Sequence, residues 1–175
     1  SHIGFLLLGL LNATTAGYAA AMFYAICYAI MTTAAFGVIL LLARAGFEAE
    51  MIDDFKGLNQ RNPWYAFIML LAMFSLAGVP PLWGFFAKLL VLKSAIDAGF
   101  LWLAIIAIVM AIVGCFYYLR VVKAMYFDAP ADKSALALPQ DLPLRWLLSI
   151  NGIALLALGA LWGPLIEWCY HAFGL

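Results

Sequence analysis

A chain of 175 residues with 68% hydrophobic and 10% charged residues and a mean hydropathy of +1.06 is too apolar for a soluble domain, in which about a quarter of residues carry charge. The formal net charge is zero and the basic residues are scattered, which excludes the concentrated positive field that holds nucleic acid. The composition predicts an all-α integral membrane protein, a polytopic helix bundle.

Residues 1–11 (SHIGFLLLGLL) supply about half of the ~20 apolar residues a span requires, so a partial helix is expected there. On this reading the chain is the C-terminal fragment of a longer protein. The first full span is predicted at residues 18–43, followed by the polar loop ARAGFEAEMIDDFKGLNQRNP, whose closing Pro63 reads as a helix start. A hydrophobic run of 36 residues covers 63–98, then a short GF turn leads to a span at 101–127. The segment DAPADKSALALPQDLP reads as a surface linker, and a last span at 144–162 precedes the closing WGPLIEWCYHAFGL. Tryptophans 64, 102, 146, 162 and 168 fall near segment ends, where their amphipathic rings favour the headgroup region.

Basic residues suggest the topology. Arg44, Lys56 and Arg61 precede Pro63, and Arg120, Lys123, Lys133 and Arg145 flank the later linker, whereas the connections near Asn12 and Gly99 carry none. The positive-inside rule puts both basic loops on the cytoplasmic face, with an even number of crossings between them. The 101–127 span is one crossing, so the 63–98 run must supply one net crossing. As a continuous helix that run would be ~54 Å long against a hydrocarbon core of ~30 Å. A discontinuous transmembrane helix resolves the mismatch. Pro80 and Pro81 remove two backbone donors, and Gly78 and Gly84 loosen both flanks.

A break at membrane depth frees backbone groups that protein or water must satisfy. Counting back from an interfacial Asp97, Lys88 lies roughly 13 Å deep, near the bilayer centre. A charged lysine there costs at least ~2.5 kcal/mol, so it must face the bundle interior or a hydrated cavity, with a partner. Lys88 is therefore the candidate midplane proton carrier; the competing readings are a plain proline kink and a structural ion pair. Lys93, about one turn from the helix end with Asp97 at i+4, is read as an interfacial lysine. His2 is either a buried hydrogen-bonding residue or a proton relay. Glu167 and the acidic loop residues Glu48, Glu50, Asp53 and Asp54 are read as solvated. Cys27, Cys115 and Cys169 stand alone among apolar neighbours, and no GxGxxG or paired ligand spacing occurs. No metal site and no cofactor are expected on this chain. Gly159 and Gly163 form a weak GxxxG packing signal.

The strings SLAGVPPLWGFFAKLLVLKSAI, MIDDFKGLNQRNPW, SHIGFLLLG, MFYAICYAIMTTAAFGVI and YYLRVVKAMYF resemble the antiporter-like subunits of respiratory complex I, over essentially the whole chain. The resemblance implies the C-terminal third or so of a subunit built from inverted repeats, with Lys88 as the lysine of its broken helix and His2 beside a central hydrophilic axis. It also implies a proton-translocating membrane-arm subunit of NADH:quinone oxidoreductase in a bacterial inner membrane. Its partners would be the lipid bilayer, protons and other membrane subunits, with FMN and iron–sulfur clusters on other subunits and quinone as the substrate of the complex. The family's first-repeat glutamate and lysines have no counterpart here. The alternatives are a subunit of a multisubunit cation/proton antiporter and a structural helix bundle; YYLRVVKAMYF and FKGLNQRNPW favour complex I by resemblance.

Overall fold

The computed structural model describes residues 1–43, 49–130 and 142–174, and every extended regular element among them is a helix. In chain order these are α1 (His2–Leu11), α2 (Thr15–Leu42), the short α3 (Leu58–Arg61), α4 (Pro63–Ala77), α5 (Trp83–Asp97), α6 (Leu101–Tyr126), α7 (Leu142–Ala160) and α8 (Trp162–Ala172). A 3₁₀ turn, Ile52–Phe55, precedes α3. Two helices, α2 and α6, are individually long and apolar enough to cross a membrane. At 15 residues each, α4 and α5 would reach only ~22 Å alone and need one another to cross. The chain is an integral membrane helix bundle, and within its described residues α4 and α5 form a discontinuous helix.

Local chemistry sets the boundaries. Thr14 caps α2, its hydroxyl accepting from the Gly17 N–H at 3.0 Å, so the helix opens three residues before the expected start. Pro63 occupies the first turn of α4, where its missing N–H costs nothing. At the far end, α7 begins at Leu142 rather than 144, and the closing segment is itself helical: α8 meets α7 at 88° and buries Ile166 and Cys169. Glu167 is exposed, as expected.

Helix α2 occupies the centre, packed against α1, α4, α5, α7 and α8. Lipid offers apolar side chains what a protein interior offers, so helix association in a membrane depends on close packing. The buried face of α2 provides it with small residues, among them Gly17, Ala20, Ala34, Ala35 and Gly37, around the larger Phe23, Tyr24 and Met31. By contrast α6 buries only Ala104, Val122, Ala124 and Met125.

Both basic regions gather at one end of the bundle. The Gly57 N–H donates to the Ala124 carbonyl at 3.1 Å, and Arg145 Nε donates to the Tyr65 hydroxyl at 3.0 Å. Lys56 pairs with Asp53 at 3.0 Å on the surface. Arg44, Glu48 and Lys133 lie outside the described residues. At the opposite end the amide of Asn12 meets the Ser94 hydroxyl at 2.8 Å.

Candidate functional site

The site is built at the break between α4 and α5. Gly78 closes α4 in the left-handed region (φ 89°, ψ 38°), a conformation that favours glycine. The Gly78 N–H donates to the carbonyls of Phe74 and Ser75, both at 3.0 Å, and the Val79 N–H donates to Phe74 at 2.9 Å. Five residues, 78–82, separate the half-helices, and the Pro80–Pro81 bond within them is cis.

A helix ends with four carbonyls that lack intrahelical partners, and here all four are accounted for. Phe74 and Ser75 are satisfied by the cap. The other two, Leu76 and Ala77, accept from Lys88 Nζ at 2.9 and 2.8 Å. The ammonium thus sits where the helix macrodipole concentrates negative charge, an arrangement worth up to ~2 kcal/mol in partly buried sites. The break and the lysine thus account for one another: the break frees the carbonyls, and the lysine one turn into the following half-helix satisfies them. Neither ion pair recorded among the described residues involves Lys88, so its partner is the backbone of α4 and not the carboxylate that a structural ion pair requires. The ring centroid of Phe5 lies 5.5 Å from Nζ, within cation–π range.

The half-helices are held together by small residues. The Gly84 N–H donates to Ser75 Oγ at 3.2 Å, and that hydroxyl donates in turn to Met31 Sδ at 2.9 Å. A Cβ on Gly84 would overlap the Ser75 carbonyl, and one on Gly78 would meet Lys88 Cδ at 3.0 Å. From the far side Gly159 of α7 backs onto Pro81, where a Cβ would lie 2.8 Å from its carbonyl oxygen, while Gly163 has open space. Of the GxxxG pair, only Gly159 makes a close approach. Trp83 is buried at the first position of α5, and Trp162 stacks on Phe86 at 4.8 Å.

His2 forms a second cluster next to the first. Its Nδ1 lies 2.8 Å from the Tyr24 hydroxyl and its Nε2 2.7 Å from the Tyr118 hydroxyl. Tyr28 stacks on the ring at 4.8 Å. Phe5 joins the clusters, stacking on Tyr24 at 5.8 Å while facing the Lys88 ammonium. Tyr24 is buried, and among the described residues its hydroxyl proton has no acceptor other than Nδ1. A neutral imidazole has one donor and one acceptor nitrogen. Leaving the buried hydroxyl proton unpaired would cost ~1–3 kcal/mol, which assigns the hydrogen to Nε2 and makes Tyr118 the acceptor. Sequence reasoning passed over Ser75, Tyr24, Tyr28 and Tyr118. The signal for two of them was present, since Tyr24, Tyr28 and Thr32 recur every four residues and mark one polar stripe on an otherwise apolar α2. Lys93 is exposed near the end of α5, as an interfacial lysine should be. No group of three metal-ligating side chains occurs among the described residues.

Three comparisons bear on this site. Residues 1–114, which contain the break, Lys88 and His2, match the family described as NADH:quinone oxidoreductase/Mrp antiporter, TM. The chain is 56% identical over 171 residues to NADH-quinone oxidoreductase subunit N of Acidithiobacillus ferrooxidans, covering 98% of this chain and 35% of that protein. It is 58% identical over 180 residues to the subunit N of Herminiimonas arsenicoxydans, covering 98% and 36%. The chain therefore spans about a third of the length of the curated relatives it matches. Among solved structures, a chain of respiratory complex I from Thermus thermophilus with bound aureothin superposes with a TM-score of 0.79 at 30% identity, over 95% of this chain and 37% of that one. A chain of the Mrp complex from a Dietzia species gives 0.82 at 25% identity, over 99% and 40%.

Proposed function

We propose, from the premise that this chain belongs to the NADH:quinone oxidoreductase/Mrp antiporter transmembrane family, that it is part of a proton-translocating membrane-arm subunit of a bacterial NADH:quinone oxidoreductase. Lys88 is its proton carrier. The observation that carries this reading is the seat of Lys88 Nζ on the Leu76 and Ala77 carbonyls. Two neutral acceptors on a helix end hold an ammonium without fixing it as a salt bridge would. They belong to a different half-helix, so a small displacement of α4 against α5 would remove the hydrogen bonds that favour the charged form. Lysine is suited to this because its ammonium gives up a proton readily once desolvated. His2, between two hydroxyls, is the relay nearest the carrier.

On this reading the chain works in the inner membrane beside other membrane subunits, while FMN and iron–sulfur clusters on other subunits pass electrons to quinone. The antiporter reading shares the fold, as the Dietzia likeness illustrates. The 54–58% identity to subunit N proteins of four bacteria favours the quinone reductase. The test is Lys88→Ala in the full-length subunit, with assembly checked on native gels and NADH-driven proton uptake measured in vesicles. An assembled complex with uptake reduced about tenfold or more is the expected result, since a positioned proton-transfer group contributes on the order of 10²–10⁴-fold to its step. Undiminished uptake would overturn the reading.

A further inference from the structure

Helices α4 and α7 both begin at the end of the bundle where the basic regions gather, pack side by side, and leave an open groove between them. Gly152 sets its floor: a Cβ there would lie 2.7 Å from Ile68 Cγ1, so glycine is what lets the two helices close at this level. Phe67 and Leu71 of α4 and Ile153 and Leu156 of α7 stand on either side, around an apolar cavity of about 150 Å³. Toward the basic end, Trp64, Tyr65, Arg145, Trp146 and Ser149 line a second cavity of about 280 Å³. Trp64 lines both cavities, and its indole N–H donates to Ser149 Oγ at 2.9 Å, so they are two levels of one groove.

The level at the basic end presents hydrogen-bond donors. Arg145 Nε donates to the Tyr65 hydroxyl at 3.0 Å, which uses one of the five guanidinium N–H groups. Neither ion pair recorded among the described residues involves Arg145, and no carboxylate lines either level of the groove. A guanidinium with donors to spare suits a phosphate, which accepts two parallel N–H groups from it. Trp64 and Trp146 are exposed beside it, as aromatic rings at the headgroup level are. The deeper level is walled by apolar side chains. From Arg145 to Leu156 is eleven residues of helix, roughly 16 Å, or about half of a ~30 Å hydrocarbon core. That depth matches one leaflet, whereas a spanning partner helix would need a seam through the whole core.

We propose that the α4–α7 groove binds one anionic phospholipid from the leaflet on the basic-loop side, with its phosphate on Arg145 and one acyl chain lying along Phe67, Leu71, Ile153 and Leu156. Basic pockets between transmembrane helices hold anionic headgroups in this way. The lipid ties α4, the half-helix that ends at the break, to α7 from outside the bundle. None of its contacts is shared with Lys88 or His2, so the site stands whether or not Lys88 carries protons.

The experiment places the assembled complex, with the full-length subunit, in vesicles doped with phosphatidylglycerol carrying a diazirine on one acyl chain, or with phosphatidylcholine carrying the same chain. Photolabelled peptides are then mapped by mass spectrometry. Label should fall on residues 67–71 and 152–156, about fivefold more with the anionic lipid, the preference that one basic side chain confers at ~1 kcal/mol. Arg145→Gln should bring that ratio to about one. Leu156→Trp, which fills an exposed wall of the groove, should lower labelling of residues 67–71 several-fold with either lipid. Arg145 and Leu156 are both exposed, and native gels check that each variant assembles. Inorganic phosphate in large excess should leave the labelling unchanged. Absence of label from both segments would overturn the proposal and mean that a protein subunit covers the groove. Equal labelling by the two lipids, or an undiminished preference in Arg145→Gln, would overturn it by removing the role of charge, and displacement by inorganic phosphate would reduce Arg145 to a plain anion site.

Discussion

At the residue scale the most informative groups are polar atoms inside an apolar bundle, because each must be satisfied and its partner can be identified. Lys88 was legible from its depth alone, since a lysine near the bilayer centre demands a partner. The identity of that partner was not, because which carbonyls a break releases, and where they point, depends on how the two half-helices overlap. His2 was open between a structural and a relay role for the same reason: Tyr24 and Tyr118 lie 22 and 116 residues away in sequence. Its tautomer is now a prediction. Nitrogen-15 NMR of histidine-labelled complex, with His2 assigned by difference against His2→Gln, should show a pyridine-type Nδ1 and a pyrrole-type Nε2. Tyr24→Phe removes the donor that fixes this state and should admit the other tautomer. A pyrrole-type Nδ1 in the unmodified protein would refute the assignment.

At the scale of elements, the two-part helix is the main structural feature, and its existence followed from length and from Pro80 and Pro81. The interruption covers residues 78–82, within the stretch that Gly78, Pro80, Pro81 and Gly84 mark in the sequence. The sequence did not reveal that the parts stay in contact after the break, through Gly84 on Ser75 and Lys88 on Leu76 and Ala77. Glycine at 84 is what permits this, and Gly84→Ala should force α4 and α5 apart. Overpacking of this kind costs ~1–3 kcal/mol. The expected outcome is a lower yield of assembled complex and a lower midpoint of thermal dissociation, whereas Gly163→Ala, which meets open space, should match the unmodified protein. Equal behaviour of the two variants would count against the overlap. The terminal helix α8 was missed because its opening Gly163-Pro164 pair reads as a breaker, although proline within a first helical turn is compatible with helix.

At the scale of the whole molecule, basic-residue bias and packing agree that the two basic regions share one end of the bundle. Counting lysines and arginines alone placed both basic loops on one face, and the Gly57–Ala124 and Arg145–Tyr65 hydrogen bonds bring those regions to one end of the bundle. Cysteines at Lys56 and Asp128 should accept an impermeant label from one side of the membrane, and a cysteine at the exposed Thr15 from the other. Asn12, in the same connection as Thr15, is buried against Ser94 and unsuited to the purpose. Labelling of all three from one side would contradict the topology.

The central claim is that Lys88 is kept for its proton and not only for its charge, and Lys88→Arg separates the two. Arginine carries the same charge, offers more donors to the Leu76 and Ala77 carbonyls, and does not deprotonate at any usable pH. The decisive measurement is NADH-driven proton uptake by vesicles containing the assembled Lys88→Arg complex. The account predicts uptake as low as in Lys88→Ala. Uptake close to that of the unmodified complex would show that a fixed positive charge on the end of α4 is sufficient, and would contradict the account.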